Sequence, residues 1–118
     1  MEVMLEELRE RLGEEGLTVV DVRTELEYLG TSGSTCDPRQ GHIRGAVNIP
    51  LETLLECRSG DEVRALVQRP QGAEIVAYCH VGQRSAFATQ VLRGAGYEAR
   101  NYAGSWHEWS RDPSLPSE

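Results

Sequence analysis

Short apolar runs recur along the chain and predict four β-strands. Residues 17–22 (LTVVDV), 45–50 (GAVNIP) and 73–79 (AEIVAYC) are compact runs rich in β-branched or small apolar side chains. Runs of this length, bounded by glycine, proline or charge, are typical of strands buried on both faces. Residues 98–103 (EARNYA) predict a last short strand.

Apolar residues at helical spacing fill most of the intervals between these strands. The first predicted helix begins near Met4, and Gly13 or Gly16 can end it. Thr24 and Asp61 are the expected N-caps of two later helices, because their side-chain oxygens can accept from free backbone N–H groups. The later predicted helices cover residues 24–29, 51–58, 61–69, 84–96 and 105–112.

Strands that alternate with helices indicate an α/β fold with a parallel sheet covered on both faces. The chain has 118 residues and no internal repeat or break in composition. We therefore expect one domain over 1–118, with 113–118 as a frayed tail. The segment 30–41 (GTSGSTCDPRQG) is a long loop, and loops of this length are often functional or mobile.

Charge and composition narrow the classes of partner. The formal net charge is −7, which argues against nucleic acid and against an anionic membrane surface. A small anionic substrate remains compatible, because a local pocket potential can oppose the global charge. All twelve basic residues are arginines, which excludes lysine Schiff-base chemistry. The sequence shows no signal peptide and no apolar run long enough to span a membrane, so we expect a cytoplasmic protein.

Three cysteines are present: Cys36, Cys57 and Cys79. Their odd number, without a secretory signal, indicates reduced thiols. No two of them form a C-x-x-C pair, which argues against a dithiol redox site and against a four-cysteine zinc site. No metal ligand set is predicted.

The stretch 79–85 (CHVGQRS) carries the strongest chemical signal. Cys79 ends a predicted strand, and the next residues lead directly into a helix. Backbone N–H groups that converge in such a turn form an anion site, and a helix N-terminus lowers a cysteine pKa. Gly82 permits the curvature, Arg84 adds charge, and Ser85 can cap the helix or donate a hydrogen bond. Cys79 is thus a candidate nucleophile, and the alternative is an inert cysteine at a buried strand end.

Four segments together resemble rhodanese-like sulfurtransferases: VVDVR, GHIRGAVNIP, CHVGQRS and YAGSWHEW. The resemblance extends from about Leu17 to Trp109. It implies a rhodanese-like α/β fold, with a parallel five-stranded sheet flanked by helices on both faces. It also implies that Cys79 carries a sulfane sulfur as a persulfide, surrounded by the backbone amides of residues 80–84.

The same resemblance implies the substrates. The donor would be thiosulfate or a related small anion, and the acceptor would be cyanide, a thiol or a sulfur-acceptor protein, without cofactor or metal. Arg84 is the candidate for holding the anionic group of the donor. The implied substrate-binding residues are His80, Val81, Gly82, Gln83, Arg84 and Ser85.

Three further residues are expected to support the site. Asp21 and Arg23 end the first strand on the same sheet edge as Cys79, and they either orient the active loop or form a simple ion pair. Arg44 lies beside His42 in GHIRGA and either adds positive potential at the mouth or is solvated. His42 is expected to bond backbone in a tight turn.

The two tryptophans, His107 and Cys36 also receive an interpretation. The tryptophans Trp106 and Trp109 are assigned to packing, and His107 is assigned to the surface. Cys36 in the 30–41 insertion is either a resolving thiol or an incidental loop cysteine.

Two other function classes remain open. A sulfur carrier or regulatory module of the same fold would accept sulfur without turnover. Phosphatases and arsenate reductases of related design are a lesser alternative. Those phosphatases have five residues between cysteine and arginine, whereas four residues separate Cys79 from Arg84 here. The shorter loop fits a sulfur atom better than a phosphate group.

Overall fold

A computed structural model of the chain describes residues 2–118. Four strands alternate with six helices along these residues. The elements are α1 (Leu5–Arg11), β1 (Leu17–Asp21), α2 (Glu25–Tyr28), β2 (Val47–Asn48), α3 (Leu51–Glu56), α4 (Gly60–Val67), β3 (Glu74–Tyr78), α5 (Gln83–Gly94), β4 (Glu98–Asn101) and α6 (Ser105–Trp109). Within this part of the chain, no helix combines the length and the apolar character needed to cross a bilayer.

The strands form one parallel sheet in the order β2-β1-β3-β4. The predicted parallel α/β architecture is confirmed, but the expected fifth strand is wrong for residues 2–118. Glu2 makes only a single parallel bridge to Asn101 at the β4 edge. The chain enters α1 at Leu5, so too few extended residues remain there for a longer ladder.

Strand β2 is shorter than its apolar pattern predicts, with Val47 and Asn48 as its whole length. Gly45, at φ 82°, turns the chain immediately before the strand. Pro50, which has no N–H to donate, stands at the N-terminus of α3 just after it. Both neighbours limit the residues that can pair with β1.

Side chains alternate between the two faces of the sheet and build two cores. On one face, Val20, Ile75 and Ala77 pack with residues of α3, α4 and α5. On the other face, Val76 and Tyr78 pack with α1 and with the two tryptophans of α6. The helices therefore cover both faces, which confirms the predicted layering and the packing role of Trp106 and Trp109.

One of the two predicted helix caps is present. Thr24 forms a capping box with Glu27, as its position predicts. The Asp61 prediction is wrong, because helix α4 begins one residue earlier and Ser59 Oγ accepts from Glu62 N at 3.2 Å. Ser59, in extended conformation just before the first turn, is therefore the N-cap of α4.

Residues 115–118 are held against the rest of the chain, so the predicted frayed tail over 113–118 is wrong. Leu115 is buried, and Ser117 forms an antiparallel bridge to Ile43. The Arg39 guanidinium explains the order of this segment. It donates to the backbone carbonyls of Trp109, Ser110, Asp112 and Leu115.

Candidate active site

Cys79 lies at the carboxyl edge of the sheet, directly after the central strand β3. The first residues of α6 hold its backbone from both sides. Cys79 N donates to Ser105 Oγ at 3.0 Å, and Cys79 O accepts from Trp106 N at 2.9 Å. Ser105 is itself buried, adopts φ 57° and donates to Tyr102 O. Sequence reasoning missed Ser105, and a serine 26 positions downstream gives no local signal of this contact.

Several donors converge on the sulfur of Cys79. Gly82 N donates to Sγ at 3.1 Å, and the N and Oγ of Ser85 both approach it at 3.4 Å. Burial of the thiol by itself raises its pKa. Hydrogen bonds from the Ser85 side chain and backbone, then from the Gly82 and Val81 backbones, outweigh burial and lower the pKa of Cys79 below its ordinary value. The thiol therefore ionises more readily than an ordinary cysteine although the residue is 1% exposed.

Gly82 is the N-cap of α5, and its backbone sits at φ 96°. A Cβ at this position would lie 2.6 Å from Ala103 O and 3.0 Å from Ala103 Cα. Asn101 Nδ2 also donates to Gly82 O at 3.2 Å. The close approach of the Ala103 backbone, together with the positive φ of Gly82, requires glycine at this point of the loop.

Arg84 faces helix α2 in a bidentate ion pair. Its guanidinium nitrogens lie 2.8 and 3.0 Å from the two carboxylate oxygens of Glu27. Burial raises the pKa of Glu27, but the Arg84 hydrogen bonds and the Thr24 backbone N–H outweigh it and lower that pKa to about 2. Glu27 was missed by sequence reasoning, because it lies 57 positions before Arg84 in the chain.

Asp21 and Arg23 form a buried ion pair beneath the loop. Arg23 Nη2 lies 2.7 Å from Asp21 Oδ2 and also donates to Gly41 O at 2.6 Å. The Arg23 guanidinium carbon lies 5.3 Å from the centre of the Trp106 ring. The pair thus connects the end of β1 to the insertion and to α6, whose first residues hold the backbone of Cys79.

The structure does not bring Arg44 to the loop. Arg44 is exposed and lines a cavity of about 450 Å³ with Leu17, Thr18 and Arg69. These neighbours include the first residues of β1, so Arg44 sits towards the sheet edge opposite to Cys79. The expectation that Arg44 adds positive potential at the mouth of the active site is therefore wrong. His42 does bond backbone, since its Nδ1 lies 2.8 Å from Tyr28 O.

The remaining loop residues point away from the sulfur. Val81 is 52% exposed and Gln83 is also exposed, so both form the outer rim of the loop. His80 Nε2 lies 2.9 Å from Asp37 Oδ2, on the side of the 30–41 insertion. His107, expected at the surface, is half-exposed but also faces Asp37. Asp37, a buried carboxylate within a polar loop, was missed.

A cysteine of lowered pKa on a strand-to-helix turn, at the carboxyl edge of a parallel sheet, is an arrangement suited to nucleophilic thiolate chemistry. The family model described as rhodanese-like domain matches residues 4–112. The chain therefore belongs to the rhodanese-like domain family, as the four sequence signatures indicate.

Named relatives match nearly the whole chain. A thiosulfate sulfurtransferase of Pseudomonas aeruginosa is 31% identical over 96% of this chain and 44% of its own length. The human thiosulfate:glutathione sulfurtransferase is 34% identical over 91% of this chain and 90% of its own length. A crystal structure of a probable thiosulfate sulfurtransferase superposes with TM-score 0.84 at 38% identity, over 99% of this chain and 47% of that one. This chain thus spans about half the length of the bacterial relative and of the crystallised chain.

Proposed function

We propose that the chain is a sulfurtransferase that moves a sulfane sulfur through a persulfide on Cys79. The observation that carries the proposal is the convergence of Gly82 N, Ser85 N and Ser85 Oγ on the Cys79 sulfur. These donors stabilise negative charge on that atom before any substrate arrives. The names of the relatives support thiosulfate as the donor and a small thiol as one acceptor.

Two displacements at sulfur complete the proposed cycle. The Cys79 thiolate attacks the outer sulfur of thiosulfate, the sulfur–sulfur bond of the donor breaks, and sulfite leaves with the electron pair. An acceptor thiolate or cyanide then attacks the outer sulfur of the persulfide, and Cys79 leaves as the thiolate. No net oxidation occurs, and the negative charge lies beside the same loop donors at both stages.

Arg84 pairs with a carboxylate, whereas its charge alone predicts that it binds the donor anion. Its two guanidinium contacts with Glu27 balance its charge within the ion pair. In our proposal the donor anion is therefore held chiefly by the loop N–H groups at the N-terminus of α5. Arg84 fixes the start of α5 against α2. Its pKa is raised chiefly by the hydrogen bonds to Glu27, and the Cys79 sulfur raises it by a smaller amount.

Other predicted parts of the site enter the proposal with less direct roles. Val81 and Gln83 form the rim that an incoming donor meets first. Asp21 and Arg23 support the loop from below. A cytoplasmic location would keep the three free cysteines reduced, as the reaction requires of Cys79.

A turnover assay tests this function. The protein is incubated with thiosulfate and cyanide, thiocyanate release is followed, and mass spectrometry looks for one extra sulfur on Cys79. We expect multiple turnovers, no product from Cys79→Ser, and unchanged product from Cys57→Ser, the matched control. Circular dichroism checks that both variants keep the fold.

The possible outcomes separate the candidate functions. One sulfur bound per chain without release would replace the enzyme by a sulfur carrier. Thiocyanate formation by the folded Cys79→Ser variant would show that the nucleophile is misassigned. Hydrolysis of an aryl phosphate by the wild-type protein, without sulfur transfer, would favour the phosphatase alternative.

A further inference from the structure

Four side chains of metal-ligand type meet beside the active loop. They are Cys36 (Sγ), Asp37 (carboxylate), His80 (Nε2) and His107 (Nδ1), and one ligand atom from each lies within 4.8 Å of all the others. Three separate parts of the chain supply them: the 30–41 insertion, the turn after β3, and helix α6. None of these parts is close to the others in sequence, so the tertiary fold alone creates the cluster.

Part of this cluster lacks hydrogen-bond partners, whereas Cys36 Sγ lies 2.9 Å from Ser34 Oγ and Asp37 Oδ1 accepts from Arg111. Asp37 Oδ2, His80 Nε2 and His107 Nδ1 are buried, and none makes a hydrogen bond within residues 2–118. The Asp37 side chain is 1% exposed. Nε2 of His80 comes within 2.9 Å of the Asp37 carboxylate, yet the two lack hydrogen-bond geometry. Buried polar groups normally have partners, so three unpaired atoms within one cluster of ligand-type side chains indicate a missing ligand.

We propose that Cys36, Asp37, His80 and His107 bind one Zn²⁺ ion in a tetrahedral site. Thiolate, imidazole and carboxylate are the ligands that Zn²⁺ takes, whereas Mg²⁺ and Ca²⁺ prefer oxygen alone. Tetrahedral Zn²⁺ bonds of about 2.0–2.3 Å place ligand atoms roughly 3.3–3.8 Å apart.

The separations at Asp37 are compatible with this geometry, two of them through Oδ1 and one through Oδ2. Asp37 Oδ1 lies 3.6 Å from His107 Nδ1 and 3.8 Å from Cys36 Sγ. The shortest separation, 2.9 Å between Asp37 Oδ2 and His80 Nε2, needs only a small movement apart. The exposed Cys36 side chain lies on the outer side of the cluster, where an ion can enter.

Charge and neighbouring contacts favour a divalent cation. The Cys36 thiolate and the Asp37 carboxylate together balance the charge of Zn²⁺. Arg111 donates to Asp37 Oδ1 at 3.0 Å and to Cys36 O at 2.9 Å, which fixes the orientation of both ligand residues. Such outer contacts are typical supports of a metal site.

Binding would connect the insertion to the active loop. His80 follows Cys79 directly, and His80 O accepts from His107 N at 3.0 Å. A metal held by both histidines would therefore immobilise one flank of the loop that contains the nucleophile. The proposed site stands independently of sulfur transfer, because within residues 2–118 the hydrogen bonds to the Cys79 sulfur come from Gly82 and Ser85 and not from the four ligand residues.

The test measures Zn²⁺ and Co²⁺ binding under reducing conditions in a Cys79→Ser background, which removes the other reactive thiol. A chromogenic chelator competes for Zn²⁺, and absorption spectroscopy follows Co²⁺. We expect one equivalent of metal, tetrahedral cobalt bands and a thiolate-to-cobalt charge-transfer band. Adding Cys36→Ser should abolish that band, and Cys36→Ser or His107→Gln should weaken Zn²⁺ binding at least about tenfold. Cys57→Ser is the matched control and should change neither reading.

Three results would overturn the site. They are the absence of stoichiometric binding in the Cys79→Ser protein, equal binding after Cys36→Ser and His107→Gln, or an equal loss of binding in Cys57→Ser. Circular dichroism without metal verifies the folding of each variant. Cys36 and His107 are at least partly exposed, so both substitutions leave the core intact. Asp37→Asn, which keeps the side-chain volume, should also weaken Zn²⁺ binding about tenfold, and unchanged affinity in this variant would remove Asp37 from the ligand set.

Discussion

Replacing Ser85 by alanine removes one of the donors that stabilise the Cys79 thiolate. The serine hydroxyl lies 3.4 Å from Sγ and is buried with it. Gly82 N and Ser85 N keep their contacts with the sulfur in this variant. The change therefore isolates a single side-chain hydrogen bond within an intact loop, and we expect the pKa of Cys79 to rise.

The size of the rise follows from the strength of that hydrogen bond. Hydrogen bonds to charged groups contribute about 1.5–3 kcal/mol, and one pKa unit corresponds to about 1.4 kcal/mol. A contact of 3.4 Å to a large, soft sulfur atom belongs at the low end of this range. We therefore predict an upward shift of about one unit in the Ser85→Ala variant, with the remaining backbone donors holding part of the original depression.

Thiolate absorbance in the ultraviolet, titrated against pH, measures this shift. Subtracting the same titration of Cys79→Ser isolates the signal of Cys79 from the other two cysteines. Thr89→Val is the matched control, because its hydroxyl lies one turn further along α5 and donates to Ser85 O at 2.7 Å. A midpoint unchanged in Ser85→Ala, or moved equally in Thr89→Val, would refute the assignment of the hydroxyl as a thiolate donor.

Two further predictions concern stability. Gly82→Ala should lower the free energy of unfolding by about 2–4 kcal/mol, because of positive-φ strain and the contact with Ala103 O. Urea denaturation measures the loss, with Gly94→Ala as the control because a Cβ there meets open space. An equal loss in both variants would contradict the prediction. Glu27→Gln should destabilise the protein by at most about 2 kcal/mol at pH 7, since the Arg84 pair is partly exposed. The pKa of Glu27 in the folded protein is about 2 against an ordinary 4.5, so the ion pair stabilises the fold above pH 4.5 and this stabilisation is lost as pH falls towards 2. An equal difference in unfolding free energy between wild type and Glu27→Gln at pH 7 and at pH 2 would disprove this role of the carboxylate.

Much of the fold and the position of the nucleophile follow from local sequence patterns. Short β-branched runs and helical periodicity predict the parallel sheet, because alternation and spacing reflect burial of neighbouring residues. The CHVGQRS stretch places Cys79 at a strand end for the same local reason. Gly82 is also predictable, because a tight strand-to-helix turn requires a residue without Cβ.

Contacts between distant segments lay beyond these patterns. The position of Arg84 beside a loop suggests a free anion-binding charge, yet the path of α2 brings Glu27 to it. The frayed-tail expectation fails in the same way, since Arg39, far upstream, binds the carbonyls near Leu115. The fifth strand was expected from family resemblance, and only the early start of α1 reduces it to one bridge.

The sequence by itself thus determined the layered α/β architecture and the turn that presents Cys79, since both depend on residues a few positions apart. The tertiary structure alone decided which side chains hold the backbone of that turn and which ones meet at Asp37. Ser105, His80 and His107 reach their partners only after the sheet has packed against α6. Their positions along the chain follow no helical or strand periodicity, so no local pattern predicts these contacts.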